Sequence, residues 1–434
     1  MTPSALVPRS LTLPNGLRVL AIAQPGLHQV QCSLHVRVGS RFETARTNGI
    51  SHFLEHMLYR GTPKLPSAHE VSLAFERLGG YLFASTQTDY GVLSLTLPPE
   101  SVVEATRLFA EVVSEPAFLD IDIERGIVCE EILEDLDDEG RQVDPDNLSR
   151  ALIYGSHPLG FTITGSDALV QSFHETSLRA HHARHYHGVG AVLAFAGPID
   201  PDKALELAAA TFSSLPRGEG IVASAPPNTQ KRPRLRIVEN VSSQTELRIC
   251  FRAIAEGAPE RMALEMLMRA IDDGMSTRLY HRICDAKGLC YDVSAGFDGY
   301  EDDGVVDLAA GVQHARASMV AREILEMLTE LAEKGPSEDE LTKAKRRHAW
   351  DMTAMLDSAE EIGDFFATGL LFGREQWPAE RMAQAAQVTA REVREVAQLI
   401  VQPSRLNVVA VGLLENDEDK RLTDLVKGWR GLDG

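Results

Sequence analysis

Two stretches of this chain carry the same hydrophobic signature. Residues 191–197 (AVLAFAG) form an apolar run that ends at glycine and precedes a helix-period pattern over 202–212, and residues 406–412 (LNVVAVG) repeat the arrangement ahead of a second such pattern over 417–429. The closing glycines, Gly197 and Gly412, stand 215 positions apart in a chain of 434. A period of nearly half the length points to duplication of one unit. Other pieces keep a similar offset. Period-2 alternation begins at Tyr81, continues through 90–97 and returns at 289–295 and 305–310, while helix-period patterns at 102–113 and 318–331 follow in the same order. Asn15-Gly16, between the apolar pieces 11–13 and 17–22, predicts a tight hairpin. Each half therefore reads strand, strand, helix, helix, strand, strand and further helices. This is an α+β fold: two homologous halves, each an antiparallel-rich sheet with helices packed on one face. The stretch 216–233 is rich in Gly, Pro, Ser and Asn and reads as a linker, so the expected division is 1–215, a linker, and 234–434.

Composition agrees with two cores. Hydrophobic residues are 44% and charged residues 24%, the balance of an ordinary globular chain. Single cores rarely grow beyond about 250 to 300 residues. Nowhere do 18 consecutive apolar residues occur, so no membrane association is expected. With 43 basic against 63 acidic residues the net charge is −20, and no basic stripe with interleaved aromatics breaks the acidic field. Phosphate backbones would be repelled, which sets nucleic acid aside as a partner. Residues 1–9 lack a charged start followed by an apolar run, and the five cysteines (Cys32, Cys129, Cys250, Cys284, Cys290) are odd in number and irregularly spaced. That argues against a disulfide framework or a thiolate zinc site, and the expected location is a reducing cytoplasm.

The sharpest chemical signal is His52-Phe53-Leu54-Glu55-His56. In a helix the i, i+4 spacing sets both imidazoles on one face, one turn apart, with Glu55 beside them. Two neutral imidazoles and a carboxylate able to take a proton from water suit a zinc site. A third protein ligand is then needed. The helical stretch 121–139 offers Glu124, Glu130, Glu131 and Glu134, of which Glu124 and Glu131 are seven apart and share a face.

His52 to His56 reproduces the inverted zinc motif of the inverzincins. Flanked by Asn48-Gly49-Ile50-Ser51 and Met57-Leu58-Tyr59-Arg60-Gly61-Thr62, and combined with Glu124-Arg125-Gly126-Ile127-Val128-Cys129-Glu130-Glu131-Ile132, it resembles the pitrilysin family. Within that family it looks especially like the subgroup of mitochondrial processing peptidase and its bacterial relatives. Leu13-Pro14-Asn15-Gly16-Leu17 and His157-Pro158-Leu159-Gly160 also match, so the resemblance spans the chain. It implies a zinc endopeptidase built as a clamshell that closes on a peptide, with one Zn²⁺ per chain. By resemblance His52, His56 and Glu131 hold the metal, Glu55 is the general base and Glu124 supports the site from behind. The second half lacks the constellation, since 261–270 has Glu265 but no histidine and the counterpart of the glutamate stretch carries Lys343, Lys345, Arg346 and Arg347.

Two departures from the family pattern bear on substrate. Members that work alone carry an arginine and a tyrosine, seven apart, in the second half to hold the substrate carbonyl. Here Tyr291 is kept and Cys284 stands at the arginine position, with Arg282 two residues away. A thiol cannot replace that charge, a loss of about 3 to 4 kcal/mol in transition-state stabilisation for a comparable donor. The expectation is a heterodimer in which a homologous partner subunit completes the site; a self-sufficient homodimer and a catalytically idle scaffold are the alternatives. In the first half, Phe83-Ala84-Ser85-Thr86 resembles the edge strand that takes up peptide by strand addition, with Phe83 where the family has asparagine. His181 and His185 are also i, i+4, but no carboxylate completes a second metal site.

Overall fold

The computed structural model describes residues 6–433. Two compact units emerge, and each interrupts the other in sequence. The first comprises the chain up to Glu134, Phe161–Ser224 and Asp351–Ala379; the second comprises Asp135–Gly160, Ala225–Trp350 and the chain from Glu380 onward. The units therefore depart from continuous halves at 1–215 and 234–434, because each half lends one helical segment to the other's sheet.

The first sheet contains β1 (Arg9–Thr12), β2 (Arg18–Ala23), β3 (Val30–Val36), β4 (Tyr81–Thr86), β5 (Gly91–Leu97) and β6 (Ala191–Gly197), in the order β1-β2-β6-β3-β5-β4. The second contains β7 (Arg234–Val238), β8 (Thr245–Arg252), β9 (Cys290–Gly299), β10 (Gly304–Val312) and β11 (Leu406–Val411), in the order β7-β11-β8-β10-β9. With β1 set aside the two orders correspond strand for strand. β2 and β6 pair in parallel, as do β7 and β11, and the other pairs are antiparallel. The repeated apolar runs become the central strands β6 and β11, buried along their whole length, which is why they read as continuous rather than alternating.

Most helices of the first unit lie on one face of its sheet, over the row formed by Leu34, Leu93 and Leu193. The opposite face is covered by Ala359–Leu371, whose Ile362, Phe366 and Ala367 pack on Leu20, Ile22, Val192 and Ala194. The same helix sets Asp364 3.3 Å from His35 of β3. The second sheet is treated alike, with Leu148 of Pro145–Tyr154 packed on Val409 and Val411. Among the described residues no helix is long and apolar enough to cross a membrane.

β4 is the last strand of the first sheet, so one of its edges is unpaired. That edge, together with the helices Ile50–Leu58 and Ile121–Leu133, frames the candidate site.

Candidate metal centre

Helix Ile50–Leu58 forms because its apolar positions fall on one side: Ile50, Phe53, Leu54, Met57 and Leu58 are all buried in the core. His52, Glu55, His56 and Tyr59 are left on the flank that faces β4 and helix Ile121–Leu133. The start of the helix is set by Gly49, which adopts a left-handed conformation at φ 94° and packs so tightly that a Cβ there would stand 2.5 Å from the Thr164 carbonyl oxygen. Gly49 has no side chain to cap the helix, and Glu43 takes over that task. Its carboxylate, only 4% exposed, accepts from the backbone N–H groups of Gly49 and Ser51 at 2.8 Å each and from Asn48 Nδ2 at 3.0 Å. Burial pushes the Glu43 carboxyl up, against the pull of those donors.

The second helix, Ile121–Leu133, buries Glu124, Val128 and Ile132 and turns Glu131 towards the histidines. His52 Nε2 and His56 Nε2 approach to 3.3 Å, and the Glu131 carboxylate oxygens stand 3.4 Å from the first and 3.5 Å from the second. Tetrahedral ligands about 2.0 to 2.1 Å from a zinc ion stand about 3.3 to 3.4 Å from one another. Each imidazole thus stands near that spacing from the other and from one oxygen of Glu131, and the three residues are the one group among the described residues whose donor atoms all lie within 4.8 Å of one another. The donor set is also chemically suited, since two imidazoles and a carboxylate are a ligand set that zinc takes.

Charge around the triangle favours a cation. Glu55, Glu124 and Glu131 all act on His56: burial disfavours its charged form, yet the Glu124 hydrogen bond and the three carboxylates together push the imidazole up. Glu131 is held below the usual carboxylate range chiefly by His52. Behind the triangle, His56 Nδ1 donates to Glu124 Oε1 at 2.7 Å, and Arg60 forms an ion pair with the other Glu124 oxygen. Burial alone would raise Glu124, but His56 and Arg60 outweigh it and hold the carboxyl low. Glu55 lies beside the triangle without joining it, and Thr86 Oγ1 donates to Glu55 Oε2 at 2.5 Å. Tyr59, one turn further on, donates to the Leu82 carbonyl of β4 at 3.5 Å, and burial followed by the Glu55 charge pushes its phenol up.

The structure therefore brings His52, Glu55, His56, Glu124 and Glu131 together, whereas Glu130 and Glu134 are exposed to solvent. Thr86, expected as a substrate contact, spends its hydroxyl on Glu55. Phe83 is exposed, and Ala84 and Ser85 are partly so. Neither Arg60 nor Glu43 stands out in the sequence. Arg60 is one basic residue after a helix, and Glu43 lies in a loop, so neither falls on a periodic pattern. His181 sits behind the histidine helix, with Nε2 3.0 Å from Ser51 Oγ and its ring 4.4 Å from that of His185 and tilted against it; burial pushes its imidazole well down.

In the second unit, the helix Arg261–Ile271 carries Glu265 between Arg261 at 2.9 Å and Arg269 at 3.2 Å, with His348 at 3.6 Å. Tyr291 is 91% exposed at the start of edge strand β9. Cys284 and Cys290 are in contact through their thiols. Arg282 is engaged by three carboxylates of helix Ala317–Lys334, Glu323 at 2.8 Å, Glu330 at 2.9 Å and Glu326 at 3.0 Å.

Comparison with known proteins sets this arrangement in context. Residues 18–166 match the family model described as insulinase (peptidase family M16), and residues 172–347 match that of the peptidase M16 inactive domain. An uncharacterized zinc protease of Mycobacterium tuberculosis is 32% identical over 401 residues, which cover 91% of each chain. One from Streptomyces coelicolor is 28% identical over 96% of this chain and 92% of its own. Among solved structures, a protease from Helicobacter pylori superposes with a TM-score of 0.87 at 23% identity, covering 94% of this chain and 99% of that one. A peptidase M16 inactive domain from Pseudomonas fluorescens superposes at 0.86 with 21% identity, covering 93% and 98%. These two superpositions speak for the fold.

Proposed function

This chain belongs to the insulinase family of peptidases, family M16, and from that premise we propose that it is a zinc-dependent endopeptidase with a single Zn²⁺ site per chain. The observation that carries the reading is the cluster of His52, His56 and Glu131, with the two imidazole nitrogens 3.3 Å apart and each facing one Glu131 oxygen at 3.4 and 3.5 Å, and with Glu55 close by. His52, His56 and Glu131 would hold the zinc, which would supply Lewis acidity to lower the pKa of a water. Glu55 takes the proton that the water loses as it attacks the scissile carbonyl and returns it to the departing amine. Thr86 holds the Glu55 carboxylate by one oxygen, which leaves the other for that transfer. Glu124 keeps the His56 ring in the tautomer whose Nε2 is a lone-pair donor, and Arg60 keeps Glu124 ionised and oriented.

The substrate is an extended peptide that adds as a strand along β4, at Phe83, Ala84, Ser85 and Thr86. In the other half, Tyr291 is the substrate contact. Cys284 cannot supply the charge that an arginine would, and Arg282 is committed to three carboxylates. This supports a catalytic subunit in a heterodimer, with a homologous chain providing the missing arginine and a tyrosine. A cytoplasmic setting suits the five free cysteines.

A catalytically idle scaffold is the second reading, prompted by the inactive-domain description of the model over 172–347. Most of that stretch lies in the half without metal donors, so an enzyme with one working half accounts for it equally. The test is Glu55→Gln, measured for bound zinc and for cleavage of an unfolded peptide with the natural chain alone and with its homologous subunit. Retained zinc with cleavage abolished is expected. Turnover by the variant would sink the mechanism, a natural chain without zinc would favour the scaffold, and full activity of the natural chain alone would remove the heterodimer.

A further inference from the structure

The hydrogen-bond register of β4 says which of its groups a peptide meets. Gln87 N donates to Tyr90 O at 2.8 Å across the turn, so Gln87 and Tyr90 close the hairpin as a hydrogen-bonded pair. Counting back by twos, Ser85, Phe83 and Tyr81 direct their backbone groups at β5, opposite Val92, Ser94 and Thr96. The N–H and C=O groups of Thr86, Ala84 and Leu82 then point out along the open edge. Tyr59 donates to the Leu82 carbonyl, an acceptor on that edge, which agrees with this register and marks its end.

Side chains divide by the same parity. Thr86, Ala84 and Leu82 face the histidine helix, as the Thr86 to Glu55 hydrogen bond shows. Tyr81 and Phe83 lie on the other face, in a row with Ser94 and Thr96 of β5, and they are 64% and 52% exposed. Ala359–Leu371 covers the β2, β6 and β3 part of this face and stops short of β4. Two aromatic rings are thus left uncovered, one beside the other along a strand that ends at the general base.

From this geometry, and resting on the peptidase reading above, we infer that Phe83, flanked by Tyr81, is a specificity-determining residue that selects a bulky apolar or aromatic side chain on the substrate. A peptide strand hydrogen-bonded to Ala84 places the residues opposite Phe83 and Ser85 with their side chains on the Phe83 face. Directly opposite cross-strand pairs bring Cβ atoms to about 4.5 to 5.5 Å, close enough for ring contact. Phe83 is three residues from Thr86, about 10 Å along the strand. The selected side chain therefore lies two or three residues from the scissile bond, on the face away from the metal. An acidic or small side chain there leaves the rings wet.

The experiment scans an unfolded peptide, replacing each of the three residues on either side of the cleaved bond by Phe, Leu, Ser or Glu. In the natural protein, with its partner subunit if one is required, one position two or three residues from the bond should favour Phe and Leu over Glu by about fivefold in kcat/KM. Phe83→Asn should bring that ratio close to one. Binding of the labelled Phe and Glu peptides in the Glu55→Gln background, read by anisotropy, tests the subsite without turnover. No preference at any such position, or a preference unchanged by Phe83→Asn, overturns the inference. Absence of all cleavage together with Phe83-dependent binding would instead overturn the peptidase reading and leave the subsite standing.

Discussion

Glu124 offers the most direct check on how the site is held. Its carboxylate receives the His56 Nδ1 proton at 2.7 Å on one oxygen and the Arg60 guanidinium on the other. Both are charge-assisted contacts to a buried carboxylate, each worth about 1.5 to 3 kcal/mol when a partner is lost. In the proposed zinc site only the first would be transmitted to the metal, because of the two residues only His56 would be a ligand. Partners of this kind typically change metal affinity by about 10- to 100-fold, or 1.4 to 2.7 kcal/mol, which agrees with the value of one such hydrogen bond. Glu124→Gln preserves volume and keeps a carbonyl oxygen for the His56 ring, but loses the charge and turns an amide towards Arg60. Its zinc dissociation constant should rise about tenfold, and that of Glu124→Ala, which leaves the ring with no acceptor, about a hundredfold. Arg60→Met should cost less than Glu124→Gln, since Glu124 keeps its bond to His56. The assay is chelator competition at fixed pH, with far-UV circular dichroism of the metal-free variants to separate affinity from unfolding. Zinc affinity of Glu124→Ala within twofold of the natural chain would refute the orienting role.

Two further perturbations act on stability. Glu43→Ala strips the acceptor from two buried backbone N–H groups at the start of the histidine helix, a loss of about 2 to 4 kcal/mol offset in part by relief of the buried charge. A net destabilisation of the first unit by about 2 kcal/mol in urea is expected, and a change under 0.5 kcal/mol would show that the cap is dispensable. Glu340 forms a bidentate pair with Arg278 that, with Ser337, holds its carboxyl down at about 2 from the ordinary 4.5. A depressed carboxyl contributes stability that is present above pH 4.5 and is lost as pH falls towards 2. Allowing for solvent screening, Glu340→Gln should remove about 1 to 2 kcal/mol at pH 7 and flatten the acid limb of the stability curve over that window. A parallel acid limb in the variant would contradict the assignment.

The fold was legible in sequence wherever one face of an element decides its pattern. β6 and β11 announced themselves as continuous apolar runs, and their spacing revealed the duplication that the matching strand orders bear out. The exchange of Pro145–Tyr154 and Ala359–Leu371 between units was not legible. Hydrophobic periodicity reports that Leu148 or Ile362 is buried, and it carries no information on which sheet does the burying. β3 shows the same limit. Its alternation of Gln31, Ser33 and His35 with Cys32, Leu34 and Val36 suggests one wet face, yet all seven residues of the strand are buried because a helix from the far end of the chain lies on the polar side.

For the site, sequence alone determined the pair His52 and His56 with Glu55 between them, because a helix converts i, i+4 spacing into proximity through backbone geometry alone. Among the glutamates of the second helix it could name candidates but not choose; the choice of Glu131 came by resemblance. Tertiary structure decided the rest. Seventy-odd residues separate His56 from Glu131, and only the packing of one helix against another brings their atoms to 3.5 Å. Glu43, Arg60 and Thr86 acquire their places the same way, as single polar groups recruited by a buried helix end, the buried Glu124 carboxylate and the Glu55 carboxylate, which each required a partner. A hydrogen bond between residues far apart leaves no period in the chain, and so the ligand helix could be read while the partners that hold it could only be seen.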